Sequence, residues 1–238
     1  MIAPLPPVAS TPAPSLLPVV ETFHSLQGEG LHAGRSAFFV RLAGCDVGCS
    51  WCDTKHSWPE AAHPRRSVAD LAVEAGRAAE EGAAFVVLTG GEPLQHDLGP
   101  LCASLVPTGL PLHLETSGVH PLSGRFDWLT LSPKRHRPPG EAHLAACDEL
   151  KVVVQEPADL AFAEAMAARA WELRRGSGPH PAAAAGGPDA QGQPSAGPAL
   201  LLQPAWGESE GQRLAIAYVQ RHSAWRLSLQ THKVLQLP

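Results

Sequence analysis

The chain predicts a single-domain α/β fold, a parallel sheet with outer helices. Two observations carry this. Apolar runs of strand length alternate with helix-length segments from about Ser67 onward, the pattern of βα units in a parallel sheet. Polar motifs then gather where those strands stop: Gly90-Gly91-Glu92-Pro93, Glu115-Thr116-Ser117-Gly118 and Ser132-Pro133-Lys134. In barrels of this kind the loops after the strands carry the active site, so the coincidence of the motifs says more than any one of them.

Residues 1–18 are rich in proline, which favours extended, poorly packed backbone, and are expected to be a disordered extension. The core domain is expected over 19–238, opening with the strand Val19–Phe23. Ser25–Gly30 (SLQGEG) is a polar loop in which Gly28 and Gly30 allow a turn or a close approach to a ligand; a plain turn is the competing reading. Ser36–Leu42 reads as a buried strand. Ser67–Gly82 reads as a helix, capped by Ser67 and ended by Gly82. The strand Phe85–Thr89, a helix near Leu98–Val106, the strands Leu112–Glu115, Trp128–Leu131 and Glu149–Val154, and the helix Leu160–Arg174 follow. Residues 176–199, dominated by Gly, Pro and Ala, break the pattern as a low-complexity insert, expected to be a mobile surface loop. Leu200–Gln203 resumes as a strand, Glu208–Gln220 as a helix and Trp225–Leu229 as a last strand, before Gln230-Thr231-His232-Lys233 leads to Pro238.

Composition narrows the function. With 238 residues, 44% of them hydrophobic and 17% charged, the chain suits a globular domain with a sizeable core. A formal net charge of −5 gives no electrostatic case for nucleic acid. No apolar run approaches the ~18 residues of a membrane span. The N-terminus lacks the basic start and apolar core of a signal peptide. Of five cysteines, Cys102 and Cys147 are isolated and read as buried structural thiols, so no disulfide framework is expected and a reducing cytoplasm is.

The remaining Cys45, Cys49 and Cys52 are spaced C-x3-C-x2-C. Structural zinc normally takes four ligands, as does an electron-transfer iron–sulfur cluster. A cubane held by three thiolates leaves one iron open to bind a small molecule, which makes the cluster a reagent. A zinc knuckle completed by His56 is the alternative; against it, the triplet follows a core strand and does not sit in a small loop. Arg41 has apolar neighbours and needs a partner. A substrate carboxylate bound by a bidentate fork would serve; so would an internal salt bridge.

With its surroundings, the triplet resembles the radical S-adenosylmethionine (SAM) enzymes. The ordered set SLQGEG, FVRLAGCDVGCSWCDTKHSW, TGGEP, ETSG, LSPK, DELKVVV, LQP and RLSLQTHK is similar to the 7-carboxy-7-deazaguanine synthase family from about Val20 to Pro238, apart from the insert. The resemblance implies a modified, incomplete (β/α) radical SAM barrel in queuosine precursor biosynthesis. The implied reaction turns 6-carboxy-5,6,7,8-tetrahydropterin into 7-carboxy-7-deazaguanine with loss of ammonia. A deoxyadenosyl radical would abstract hydrogen at C6, the ring would contract and SAM would be regenerated. Cys45, Cys49 and Cys52 would ligate a 4Fe–4S cluster. Trp51, Cys52, Asp53, Gly90, Gly91, Glu92, Gly118, Ser132, Pro133 and Lys134 would hold SAM, with Gln203, Pro204, Ala205 and Trp206 near its adenine. Leu26, Gln27, Gly28, Arg41, Thr116 and the terminal carboxylate of Pro238 would meet the pterin, and Thr54 a Mg²⁺ ion. Flavodoxin or ferredoxin would supply electrons, and a homodimer is implied. Rival readings are another radical SAM enzyme, such as a glycyl-radical activase, and a non-catalytic zinc-binding module. Locally, Glu92 also suits a helix cap, the basic run from Lys134 to Arg137 a solvated face, and Pro238 a frayed end.

Overall fold

Period-two alternation along the strands sets the two faces of the sheet. In the computed structural model, which describes residues 15–175 and 197–238, the elements run β1 (Leu16–Leu26), β2 (Ser36–Leu42), β3 (Arg65–Ser67), α1 (Val68–Glu80), β4 (Val86–Gly90), α2 (Gly99–Leu105), β5 (Leu112–Thr116), β6 (Trp128–Leu131), α3 (Glu141–Ala146), β7 (Glu149–Val154), α4 (Pro157–Arg175), β8 (Ala199–Pro204), α5 (Ser209–Val219), β9 (Trp225–Leu227) and α6 (Thr231–Leu235). The strands form one sheet in the order β3-β1-β2-β4-β5-β6-β7-β8-β9. β1 pairs antiparallel with both β3 and β2, and every pair from β2–β4 to β8–β9 is parallel. β3 and β9 remain as edges, so the sheet is an incomplete barrel.

Odd and even positions divide the side chains. On β2, Phe38, Val40 and Leu42 join the large core beneath the helices, while Ala37 and Phe39 join a second, smaller cluster on the other face. Val86 and Leu88 of β4 repeat the outward choice, and Val87 the inward one. Leu112 and Leu114, Leu129 and Leu131, Leu150 and Val152, and Leu200 and Leu202 continue the outer row. α1 covers that row with Leu71, Ala75 and Ala78; its first turn is closed by Ser67, whose Oγ accepts from the Asp70 amide at 3.1 Å, as its sequence implies.

The structure departs from expectation at several elements. The expected boundary at residue 18 falls inside β1, because Leu16, Leu17 and Pro18 pair with Ser67, Arg66 and Arg65 of β3 and Leu17 is buried. Residues 197–199 belong to the described fold, with Ala199 opening β8; the rest of the expected insert, 176–196, and residues 1–14 lie outside the described residues. No helix joins β5 to β6, as the sequence reading has it. β3, α3 and α6 were not expected, since three to six residues are too few to show a period.

Candidate active site

Inward-facing side chains change character along each strand. Near the strand C-termini they are Arg41, Thr89, Glu115, Thr130, Lys151 and Gln203, all facing one cleft of about 310 Å³. Register sets Arg41 beside Thr89 and Glu115 beside Thr130. This is the mouth expected of a βα barrel, and the volume suits small ligands.

The cysteine loop closes one wall. Its backbone is held by Gly44 and Cys45, whose amides donate to Ser57 O at 2.8 Å and Trp58 O at 3.3 Å. A tight turn brings the Cys52 amide to Cys49 O at 3.2 Å. The Cys45, Cys49 and Cys52 thiols are free and all line the cleft. Burial pushes the Cys45 and Cys49 thiols up, and the neighbouring thiols add to the rise, opposed at Cys49 by Lys134. Among the described residues no three His, Cys, Asp or Glu side chains gather as a single ion would require; zinc would need each sulfur within ~2.3 Å of one point. Three thiols lining one cleft fit the three protein ligands of a cluster that leaves one iron open. Thr54 Oγ1 lies 3.5 Å from Cys52 Sγ on the same wall.

Beside this loop, β4 ends in backbone approached too closely for a side chain. Gly90 has φ +137, and a Cβ there would lie 2.1 Å from Leu42 O. The Glu92 carboxylate is buried. It accepts from the Leu94 amide at 3.1 Å, the Ser117 amide at 2.8 Å, and the hydroxyls of Thr116 and Ser117. Four donors fill the roughly four acceptor sites of a carboxylate, so Glu92 ties the end of β4 to the end of β5. The cap reading is realised through Leu94, and the other three donors come from Thr116 and Ser117.

The pterin side of the cleft is built by residues far apart in sequence. Glu29 accepts from Lys151 Nζ and, at 2.9 Å, from Gln230 Nε2. Burial raises the Glu29 carboxyl, but the ammonium beside it wins and holds it below the usual range; the same carboxylate, with Glu115 and Glu149, raises buried Lys151. Glu149 goes the other way, pushed up by burial. Gln27 donates to Glu115 at 2.9 Å, and Thr89 to the other Glu115 oxygen at 3.1 Å. The tail docks on this loop: the Thr231 amide and hydroxyl both donate to Gly28 O, at 3.0 and 2.9 Å. A Cβ on Gly28 would lie 2.1 Å from His232 Nδ1, so the close approach requires glycine. Gln230 and Lys233 also donate to Asp53. Burial raises the Asp53 carboxyl, yet these two donors leave it net lowered.

Most expected site residues reach the cleft: Leu26, Gln27, Gly28, Arg41, Trp51, Asp53, Thr54, Gly91, Ser132, Lys134, Pro204, Ala205, Trp206 and Pro238 line it with those already placed. Gly118 and Pro133 do not. Gly118 packs against Leu131, Pro139 and His143 behind the wall, and Pro133 is buried. Arg41 realises the salt-bridge reading, its Nε donating to Glu21 at 2.8 Å. Thr116 gives its proton to Glu92 and accepts from the Gly118 amide at 3.0 Å. Lys134 is half-buried and donates to Ser132 at 2.7 Å; burial lowers its ammonium. It is no part of a solvated face. Pro238 is exposed and lines the cleft. Sequence reasoning missed Lys151, Gln230 and Lys233 as site residues. The DELKVVV and QTHK motifs were visible; their partners were not.

Residues 40–132 match the radical SAM superfamily. A 7-carboxy-7-deazaguanine synthase from Prochlorococcus marinus is 49% identical over 226 residues, 92% of this chain and 97% of that protein. A protein of the same name from Synechocystis sp. is 47% identical over 92% of each. The crystal structure of QueE from Escherichia coli superposes with a TM-score of 0.66 at 31% identity, covering 90% of this chain and 93% of that one.

Proposed function

The chain belongs to the 7-carboxy-7-deazaguanine synthase family of radical SAM enzymes, and we propose that it converts 6-carboxy-5,6,7,8-tetrahydropterin to 7-carboxy-7-deazaguanine with loss of ammonia. It is an enzyme of queuosine biosynthesis. A single observation carries the reading: one cleft unites three cysteine thiols with Arg41 and the terminal Pro238. When bound, the 4Fe–4S cluster and SAM supply reversible hydrogen-atom transfer at C6 of the substrate.

The protein's share is binding and orientation. Cys45, Cys49 and Cys52 hold the cluster. The backbone of Gly90 and Gly91 would meet the amino-acid part of SAM, with Trp51, Asp53, Ser132 and Lys134 around it and the 203–206 stretch near the adenine. Arg41 spends Nε on Glu21 and offers its terminal nitrogens to the substrate carboxylate. Thr116 keeps one lone pair for the substrate after serving Glu92 and Gly118. The Pro238 carboxylate accepts from the amino-pyrimidine edge, beside the backbone of Leu26, Gln27 and Gly28. Thr54 presents a hydroxyl to Mg²⁺, which keeps waters and needs few protein ligands. A flavodoxin or ferredoxin donates the electron, and the enzyme works as a homodimer.

The test is anaerobic incubation of iron- and sulfide-reconstituted protein with dithionite, SAM and the carboxypterin, with and without Mg²⁺. The deazaguanine product is expected, formed faster with the metal. Deoxyadenosine without that product would instead favour another radical SAM activity, such as a glycyl-radical activase.

A further inference from the structure

We propose that Arg137 and His120 are positioning residues that fix the cysteine loop before any cluster binds. Arg137 grips Asp46 twice: Nη1 donates to its backbone oxygen at 2.6 Å and Nη2 to Oδ2 at 2.9 Å. His120 donates to the other carboxylate oxygen, Oδ1, at 2.8 Å. One residue further on, His136 Nε2 donates to Val47 O at 3.0 Å, and its ring meets Trp51 edge-on at 5.6 Å. Thus the connections that follow β5 and β6 hold the loop at Asp46, Val47 and Trp51, between and beside the three thiols. Arg137 is itself set by a turn, its amide donating to Lys134 O at 3.0 Å.

The loop needs such a brace. It contains no helix or strand between β2 and Lys55, and Gly44 and Gly48 both adopt positive φ, so its own backbone is pliant. Every loop residue left free would have to be ordered when the cluster binds. Asp46 also places a carboxylate next to Cys45, and like charge beside a cluster lowers its reduction potential. The Arg137 guanidinium offsets that charge while holding the residue that carries it. Loop order and cluster potential therefore depend on the same side chain.

This inference rests on Cys45, Cys49 and Cys52 being the cluster ligands, and the experiment separates the two. Hydrogen exchange over residues 45–52 is measured on the metal-free chain. After anaerobic reconstitution with iron and sulfide, the rate of iron loss to a chelator and the midpoint potential are measured. In Arg137→Ala, exchange over 45–52 should accelerate while β4 and β5 stay protected. Iron loss should be about three- to tenfold faster, the size of a partly exposed charge-assisted pair, and the potential more negative. Arg137→Lys should restore the potential, because the charge returns, but only part of the protection, because the two-point grip does not. Asp46→Asn keeps the backbone oxygen and one side-chain oxygen for Arg137 and turns an amide NH2 toward His120, whose ring can accept it as the other neutral tautomer, so it should raise the potential with a smaller change in exchange than Arg137→Ala. Exchange and iron loss in Arg137→Ala equal to those of the parent would overturn the proposal alone. A parent chain that takes up no iron and sulfide would overturn the cluster reading and the proposal with it.

Discussion

The two ends of the sheet's inner face are built from the same strands and do opposite work. At the floor, near the strand N-termini, Phe85 stacks on His113 with centroids 4.1 Å apart, and His32 from the β1–β2 loop meets Trp128 edge-on at 4.5 Å. One inward step later, Phe39 gives way to Arg41, His113 to Glu115 and Trp128 to Thr130. An inward step is only ~6.6 Å along a strand. The floor spends its side chains on contact. The mouth spends them on charge and hydrogen bonds in a partly dry space, where such interactions are strong and an unpaired one is costly. Stability and chemistry are thereby separated by depth rather than by domain.

That separation makes its own tests. The largest contrast sets Cys49→Ala against Phe85→Ala. Cys49→Ala should abolish cluster retention and all SAM cleavage, read by iron and sulfide content and by deoxyadenosine, with the urea midpoint near that of the parent. Phe85, fully buried, should cost ~3–5 kcal/mol on truncation while the surviving folded fraction keeps its iron. A floor variant that lost its cluster while remaining folded would break the division.

The next test probes the charged side. Lys151→Met leaves Glu29 without its ammonium partner, and breaking a buried pair costs ~3–5 kcal/mol. Urea unfolding should show the loss, and the double variant Lys151→Met with Glu29→Gln should recover part of it. A recovery of nothing would mean that Lys151 acts through Glu115 and Glu149 instead. Arg41→Ala should weaken substrate binding by ~1.5–3 kcal/mol, with cluster content unchanged. An unchanged KM for the carboxypterin would remove Arg41 from the carboxylate site and leave it as the partner of Glu21.

Much of the frame was legible because its signals are local. The runs that became β4 and β6 are apolar and bounded by polar or turn residues, and Gly90, Gly91, Glu92, Ser132 and Lys134 of the motifs at their ends line the cleft. β3 was not legible: Arg65-Arg66-Ser67 has no strand character, and it pairs because β1 offers an edge. Arg41 could be flagged as needing a partner, yet naming Glu21 required the register of β1 on β2. Lys151 and Glu29 stand 122 residues apart, a distance no periodicity spans. The run from Lys134 to Arg137 misled only in part. Arg135 and His136 are exposed as a solvated face requires, while the fold turns Lys134 toward Ser132 and Arg137 toward Asp46. Gly118 and Pro133 were carried onto the site by resemblance, and among the described residues it is their neighbours Ser117, Ser132 and Lys134 that line the cleft.

The smallest test uses acid to strain the floor. His113 and His32 are held neutral: burial, then each other's proximity and that of Arg35, drops His113 to about 3, and burial with Arg35 drops His32 to about 4. Both folded values lie below the ~6.5 of an unfolded histidine. The unfolded chain therefore binds more protons at mildly acidic pH, and stability falls as pH drops below about 6.5. The loss continues until the folded values are passed. At pH 5 the deficit from buried His113 is ~2 kcal/mol by linkage, with a smaller share from half-buried His32. The carboxylates of the mouth act in the same direction only at lower pH, since paired Glu29 and Asp53 stay ionised below the usual carboxylate range. Urea midpoints at pH 7 and pH 5 for the parent and for His113→Phe should thus differ: the parent loses stability and the phenylalanine variant loses less. Equal losses in the two chains would mean that the floor takes up no proton in that range, and that acid acts on the mouth first.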